Sequence, residues 1–116
     1  QKQKWLKFEK MIEMLVNTYK PDLIVYEMPV YSGQAGATIH HSKLAGIIEL
    51  ICERRGLRSE TISPTSCKKF QTGKGNAKKE QMVAAAYQKG LYSGDNHNTA
   101  DAILMLDFFI NINKLK

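Results

Sequence analysis

Hydrophobic residues recur at helical spacing through the first nineteen residues of the chain, while lysines and glutamates fill most positions between them. This pattern predicts an amphipathic helix over residues 2–19, which Pro21 ends. The apolar residues of the stripe are Trp5, Phe8, Ile12, Leu15 and Tyr19.

Two short apolar runs, residues 22–27 and 57–62, predict strands, and the first has the composition of a strand buried on both faces. Between them, residues 29–37 are rich in turn formers and predict a mobile loop. Thr38 is then placed to cap a helix that runs to about Arg55.

Three helices are expected after the second strand. Ser63-Pro64 predicts the start of the first, Asn76 is the expected cap of the second, and the third begins near Asn96 or Asn98. Strands separated by helices predict an α/β fold with a parallel sheet. Two strands are too few for a stable parallel sheet, so we expect further strands from upstream residues or by exchange with a second chain.

Composition limits the class of protein. The chain has 116 residues, enough for one small domain, and 17 Lys and Arg against 11 Asp and Glu give a net charge of +6, which favours polyanionic partners. Its two cysteines have no metal-ligand spacing, so a reducing, cytoplasmic setting is expected. The most apolar window, residues 100–112, is too short to cross a bilayer, and no signal peptide is visible, so no membrane partner is expected.

Glu27 is the first candidate for chemistry, because it ends the apolar run of the first strand. A carboxylate beside a buried sheet is costly unless a cation compensates it, and the carboxyl ends of parallel strands are where open α/β folds bind ligands. The alternative is a glutamate that turns into solvent as the strand ends.

Asp101 is the second candidate, at the start of the most apolar helix. Its local sequence fits two roles equally: Asn98 and Asp101 have nearly the form of a capping box, and Asp101 is also a possible metal ligand. Ala100 and Ala102 would clear space around the carboxylate. His97 and Asn98, four and three residues earlier, would share its helix face and favour metal binding.

Five lysines cluster where the third predicted helix ends and the fourth begins. A solvated helix face is the usual meaning of such a run, but the glycines here let backbone amides approach phosphates, and two helix N-termini converge on the segment. It lacks the spacing of a Walker loop. Contact with a nucleic-acid backbone is the preferred interpretation, and the residues concerned are Lys68, Lys69, Lys74, Lys78 and Lys79.

Four motifs, in this order, resemble those of the RuvC-type Holliday-junction resolvases, particularly the small phage and viral ones. Residues 25–29 look like the second catalytic carboxylate at the end of the central strand, and residues 43–46 look like the start of the dimer-forming helix. Residues 63–69 and 72–79 are similar to the lysine-bearing segment near the scissile phosphate. Residues 98–102 look like the last acidic motif.

The resemblance implies a partial RNase-H-like fold: one domain over residues 1–116 that lacks the family's N-terminal catalytic strand. It also implies a homodimer that cuts four-way DNA junctions with Mg²⁺ or Mn²⁺, two ions roughly 4 Å apart clamping the phosphate. Glu27 and Asp101 would be metal ligands, with His97 or Asn98 beside them and Asp95 further off. Lys79, with Lys68 or Lys69, would offset charge on the phosphate. The family's first aspartate would lie upstream, so this chain alone is expected not to cleave DNA.

The resemblance also places DNA contacts and the dimer interface. Tyr31 would stack on an unpaired base at the junction centre, unless it is an ordinary loop aromatic. The other basic residues of the lysine-bearing segment would bind the DNA backbone, and the helix over residues 39–55 would form the dimer interface. A non-catalytic DNA-binding module, another RNase-H-like nuclease and a plain α/β interaction domain are the alternatives.

Overall fold

The computed structural model describes residues 3–30 and 33–113, which divide between two compact units, Gln1–Glu60 and Thr61–Lys116. The order of elements is helix, strand, helix, strand and three helices, as predicted. Within the described ranges, no helix is both long and apolar enough to span a membrane. The elements are α1 (Lys4–Tyr19), β1 (Leu23–Glu27), α2 (Ala35–Arg55), β2 (Arg58–Ile62), α3 (Pro64–Thr72), α4 (Lys79–Gln88) and α5 (His97–Ile112).

The two strands are parallel neighbours in a two-stranded sheet. At its start, the Arg58 N–H donates to the carbonyl of Asp22 at 3.3 Å. The predicted α/β class and the parallel pairing are therefore confirmed. Residues 23–25 are only half-buried, less than expected for a strand covered on both faces, because β1 has a single neighbouring strand among the described residues.

In the first unit, α1 and α2 pack together over β1. The buried apolar residues there are Val16, Tyr26, Ile48, Ile51 and Cys52, of which Tyr26, Ile48 and Cys52 form one cluster. Ion pairs link the two helices outside the core: Glu13 contacts Arg54 at 3.1 Å and Arg55 at 2.6 Å. These pairs are partly exposed, so the apolar core contributes most of the stabilisation.

In the second unit, α3, α4 and α5 pack against one another around a small apolar core. One polar side chain, Gln71, is buried with it. The Gln71 amide donates to the carbonyl of Leu104 at 2.9 Å and to Asp107 at 3.0 Å, and it accepts from Lys89. Because each polar atom of this buried amide has a partner, burying it costs little. The apolar core residues are Cys67, Met82, Ala85, Ala86, Ala100, Leu104 and Phe109.

Two helix starts differ from the prediction. α2 begins at Ala35 rather than after Thr38, whose hydroxyl instead donates to the carbonyl of Gln34, four residues earlier, at 3.4 Å. This bonding pattern places threonine inside a helix instead of at its cap. α4 begins at Lys79 rather than after Asn76, because the Gln81 side chain accepts from the Lys78 N–H at 2.8 Å and fixes the start there.

Candidate active site

Glu27 is the last residue of β1, and its side chain is exposed where that of Tyr26 is buried. The alternation follows from the pleat, which points successive side chains to opposite faces. Beside Glu27 lies a cavity of about 200 Å³, walled mainly by apolar side chains of α1 and α2 and by His41. The carboxylate therefore lies at the carboxyl end of a parallel strand, as predicted. Its exposure also agrees with the alternative, a glutamate that turns into solvent as the strand ends.

Tyr26 fixes the strand next to this carboxylate. Its hydroxyl donates to Glu49 of α2 at 2.7 Å, and burial, followed by this hydrogen bond, raises the pKa of Tyr26 to about 12. Tyrosine therefore stays protonated and keeps donating across the physiological range. Burial also raises the pKa of the Cys52 thiol, which makes it an inert core residue rather than a nucleophile.

Asp101 lies in the second turn of α5 and does not cap it. The cap is Asn96, whose side-chain oxygen accepts from the backbone N–H groups of Asn98 and Thr99 at 2.9 and 3.1 Å. The Oδ1 atom of Asp101 is buried and has no hydrogen-bond partner among the described residues. The capping role is thus filled by Asn96, and the buried oxygen of Asp101 is left without a hydrogen bond from the described residues.

Glu13 shows why this orphan oxygen is unusual. Its Oε1 atom is likewise buried without a hydrogen bond, but Arg55 Nε lies 2.6 Å away and forms an ion pair with it. Asp101 has no such cation beside it within the described part of the chain. A buried anionic oxygen without compensation is destabilising, and a bound metal ion would supply what is missing.

The residues around Asp101 on α5 fit a metal site only in part. His97 is half-buried at the first position of the helix, Asn98 is exposed, and their spacing from Asp101 keeps them on one side of the helix. Ala100 is packed in the core and Ala102 is exposed, so they do not clear a common space as expected. Across residues 3–30 and 33–113, no three His, Cys, Asp or Glu side chains form a group able to hold a metal ion.

The lysine segment, residues 68–79, runs from the second half of α3 through a well-fixed loop to the first residue of α4. Thr72 Oγ1 donates to the carbonyl of Lys68 at 2.8 Å and accepts from the Lys74 N–H at 3.1 Å. Gly75 lies so close to the first turn of α3 that a Cβ there would be 2.9 Å from Thr65 Cγ2. This approach supports the prediction that the loop lies beside the N-terminus of α3, where backbone N–H groups favour anions.

The lysine side chains of this segment are available for a partner. Lys69, Lys74, Lys78 and Lys79 are exposed and Lys68 is half-buried. None of them takes part in an ion pair within the described ranges. The segment therefore presents several uncompensated positive charges on a fixed backbone.

One basic residue was not singled out by the sequence analysis. Lys89, at the end of α4, lies 3.7 Å from Asp107 and 4.9 Å from the centre of the Phe70 ring, in addition to donating to Gln71. This role is structural rather than DNA-binding. The sequence held one signal for this role, and it concerned Gln71, the partner of Lys89. Gln71 follows Cys67 by four residues, so both lie on one face of α3, and a polar residue on a buried face needs a partner. Tyr31, predicted to stack on a base, lies outside the described residues.

Known proteins match the chain over most of its length. The family model described as crossover junction endodeoxyribonuclease RuvC matches residues 1–105. The protein of that name from Corynebacterium diphtheriae is 27% identical over 82 residues, 71% of this chain and 50% of the relative. Its counterpart from Corynebacterium glutamicum is 28% identical over 78 residues, 67% of this chain and 35% of the relative.

The fold also matches a solved structure. The structure of Thermus thermophilus RuvC superposes with a TM-score of 0.70 at 15% identity, covering 97% of this chain and 70% of the other. At this identity the likeness establishes the fold, and it confirms the predicted RNase-H-like class. The chain spans about half the length, or less, of the curated relatives it matches.

The family model covers far more than half of the chain, and the sequence relatives and the solved structure agree with it. The resemblance predicted from four short motifs is thereby confirmed at the level of the family. The chain belongs to the RuvC family of crossover junction endodeoxyribonucleases.

Proposed function

We propose that this chain is the part of a junction-resolving nuclease that carries the second and last acidic motifs, and that the whole protein hydrolyses phosphodiesters in four-way DNA junctions. Family membership supports the reaction class. The single observation that carries the proposal is the buried, unpartnered Oδ1 atom of Asp101 in a helix that Asn96 already caps. An oxygen in that condition is suited to a cation.

The proposal assigns Glu27 and Asp101 as ligands of a divalent cation, with His97 or Asn98 as the additional ligand. Carboxylate and amide oxygens suit hard ions, so Mg²⁺ or Mn²⁺ is the proposed cofactor. When bound, such an ion polarises the phosphoryl oxygen and lowers the pKa of water. The burial of the Asp101 Oδ1 atom would keep bulk water from it, and the hydrogen bond of Tyr26 would hold the strand of Glu27 in place.

The lysine segment is proposed to bind the DNA backbone near the scissile phosphate. Lys79, exposed at the first position of α4, is assigned to the charge that develops on the phosphate, and Lys68 and Lys69 assist it. Lys74 and Lys78 are assigned to contacts with the DNA backbone, whose affinity falls as the salt concentration rises. Among the described residues, none of these five lysines takes part in an ion pair, which supports the assignment.

A homodimer through α2 is part of the same proposal, because a two-fold assembly matches a two-fold junction. Ile48 and Ile51 of this helix are buried within the chain and cannot supply the surface. Ile39 and Leu50 remain 55% and 51% exposed. They are eleven residues apart, three helical turns, and therefore lie on one face. A cytoplasmic location in a bacterial or phage-infected cell completes the proposal.

The test compares Glu27→Gln and Asp101→Asn with Glu53→Gln, an exposed position on α2, in the full-length protein. We expect the first two variants to bind a four-way junction as the unaltered protein does and to lose cleavage in Mg²⁺ by roughly 100-fold or more. Even replacing a residue that only orients a metal ligand costs about 10- to 100-fold. The control should cut normally. An unaltered protein that binds the junction but never cuts it in Mg²⁺ or Mn²⁺ would instead establish a non-catalytic DNA-binding module.

A further inference from the structure

The segment that joins α4 to α5, residues 89–96, is tied to the end of α4 by its backbone. The N–H groups of Leu91 and Tyr92 both donate to the carbonyl of Ala86, at 2.9 and 3.3 Å, and Ala86 is completely buried. Gly90 has a φ of +72°, the left-handed conformation that glycine adopts without strain, and it lets the chain turn away from the helix. The first half of this segment, which we call the α4–α5 turn, therefore has a fixed position.

The ring of Tyr92 lies over the backbone of Gly94, in the second half of the turn. A Cβ atom on Gly94 would lie 2.6 Å from Tyr92 Cζ and 3.0 Å from Tyr92 Cε1, so the ring occupies the space that a larger residue would need. Tyr92 is half-buried, whereas residues 93–96 are exposed. The ring therefore provides a packing contact in a stretch of the chain that is otherwise open to solvent.

This contact lies close to the proposed metal ligands of α5. Gly94 is two residues before Asn96, the cap of the helix, and the next two residues, His97 and Asn98, are the proposed additional ligands beside Asp101. All of them belong to the second compact unit. The second turn of α5 is held by the apolar core, but the first turn depends on its cap and on the chain that leads to it, because helix ends fray where packing is sparse.

We propose that Tyr92 is a positioning residue for the metal site. Its ring, packed on Gly94, holds the first turn of α5 so that His97 or Asn98 stays in register with Asp101. Tyr92 does not touch the ion; it fixes the backbone that carries one of the ligands. The inference rests on the proposed nuclease function and adds a residue outside the four motifs that carry the family resemblance.

A purely structural role is the competing interpretation. Tyr92 shares a surface depression with Tyr87 and Leu91, and under that interpretation its ring only stabilises the turn. The contact with Gly94 favours positioning, because it is made on the side of the turn that leads into α5. The two interpretations differ in one measurable respect: a structural role changes the stability of the metal-free protein and leaves its affinity for metal unchanged.

The experiment measures binding of Mn²⁺ to the full-length protein without DNA, from the electron paramagnetic resonance signal of the free ion. Thermal unfolding of each variant in EDTA reports the structural effect separately. We expect Tyr92→Leu to weaken Mn²⁺ binding about 10-fold, the lower end of the range for residues that orient a metal ligand, because Asp101 itself stays in place. Tyr92→Phe keeps the ring and should keep the affinity. Tyr87→Leu, which changes an exposed tyrosine of the same depression, is the matched control and should bind Mn²⁺ normally.

Gly94→Ala tests whether the ring acts through its contact with the backbone. Its Cβ atom would displace the ring, so this variant should weaken Mn²⁺ binding by a similar factor. Adding Gly94→Ala to Tyr92→Leu should cost little more than Tyr92→Leu alone, because changes that disrupt one shared contact are not additive.

Two results would overturn the inference and leave the nuclease proposal standing. One is a Tyr92→Leu variant that has a lower Tm in EDTA but binds Mn²⁺ as tightly as the unaltered protein does. The other is an effect of Gly94→Ala on Mn²⁺ affinity that is equally large with and without the ring. Unchanged Mn²⁺ binding in Asp101→Asn would instead contradict the proposed metal site, and this inference with it.

Discussion

Replacing Asp101 by alanine tests the claim that its buried oxygen needs a cation. The variant removes the unpartnered Oδ1 atom from the second turn of α5 and leaves the Asn96 cap untouched. If the oxygen is destabilising without metal, its removal should stabilise the metal-free protein. The same change should abolish any stabilisation by metal.

The magnitude follows from the burial of that one atom. An unsatisfied buried polar group costs about 1–3 kcal/mol, and the lower end applies because the rest of the Asp101 side chain is only partly buried. Unfolding entropy of about 2.1 cal/mol/K per residue over 116 residues makes 1 kcal/mol equivalent to about 4 °C in Tm. Metal at ten times its Kd would add about 1.4 kcal/mol, or about 6 °C, to the unaltered protein.

Thermal unfolding in EDTA and in MgCl₂, with NaCl at matched ionic strength, measures both effects. Alanine is also the better helix former, so Thr99→Ala, in the same helix and exposed, serves as the control: threonine and aspartate have similar helix propensity. In EDTA we expect the Tm of the Asp101→Ala variant to exceed that of the Thr99→Ala variant by about 4 °C. In MgCl₂ the unaltered protein and Thr99→Ala should gain stability, and Asp101→Ala should not.

Two results would refute the reasoning. Equal Tm values for the two variants in EDTA would mean that the oxygen costs nothing, for example because water reaches it. A rise in Tm with Mg²⁺ that persists in Asp101→Ala would place the metal at other residues. Both results are independent of cleavage activity.

Three further predictions concern the supports of the site. Gln71→Ala should lower stability by about 2–3 kcal/mol in chemical denaturation, because it leaves buried partners unsatisfied. Gly75→Ala should weaken junction binding in a gel-shift assay, because its Cβ would meet Thr65 Cγ2 at 2.9 Å; adding Thr65→Ser, which removes that methyl group, should restore binding. The folded-state pKa of Tyr26, about 12, lies above its ordinary value of 10.0, so its contribution, about 3 kcal/mol at most because each pKa unit corresponds to about 1.4 kcal/mol, is present below pH 10 and lost as pH rises towards 12. Denaturation between pH 8 and 11 should therefore show a loss of stability that Tyr26→Phe does not share.

The sequence predicted elements best where a local signal and the apolar pattern agreed. Ser63-Pro64 begins α3 as expected, with the Ser63 hydroxyl accepting from the Ser66 N–H at 3.3 Å. The start of α4 was wrong because two cap signals competed: Asn76 has the better capping side chain, but Gln81 reaches back to Lys78. Local preference alone does not decide such cases, because the choice depends on how the loop packs, here with Ala77 buried.

The site was predictable only as separate parts. Strand and helix patterns located Glu27 and Asp101, because a carboxylate at the edge of an apolar run is visible in sequence. Whether Asp101 caps its helix was not decided by the sequence, since Asn96 and Asn98 are both plausible caps. The contacts of Trp5 with His40 and Lys43 were missed altogether, because only the packing of α1 on α2 brings these residues together.

The treatment of other buried polar atoms gives Asp101 its significance. Glu13 is compensated by Arg55 at 2.6 Å, and the buried Gln71 has partners for its carbonyl and its amide. The chain thus supplies partners for buried polar groups where their role is structural. The Oδ1 atom of Asp101 has no such partner among the described residues, although Asn96 has relieved Asp101 of the capping role. A metal ligand is in this condition before its ion arrives, which is why the proposal assigns Asp101, rather than Glu13 or Gln71, to the cation.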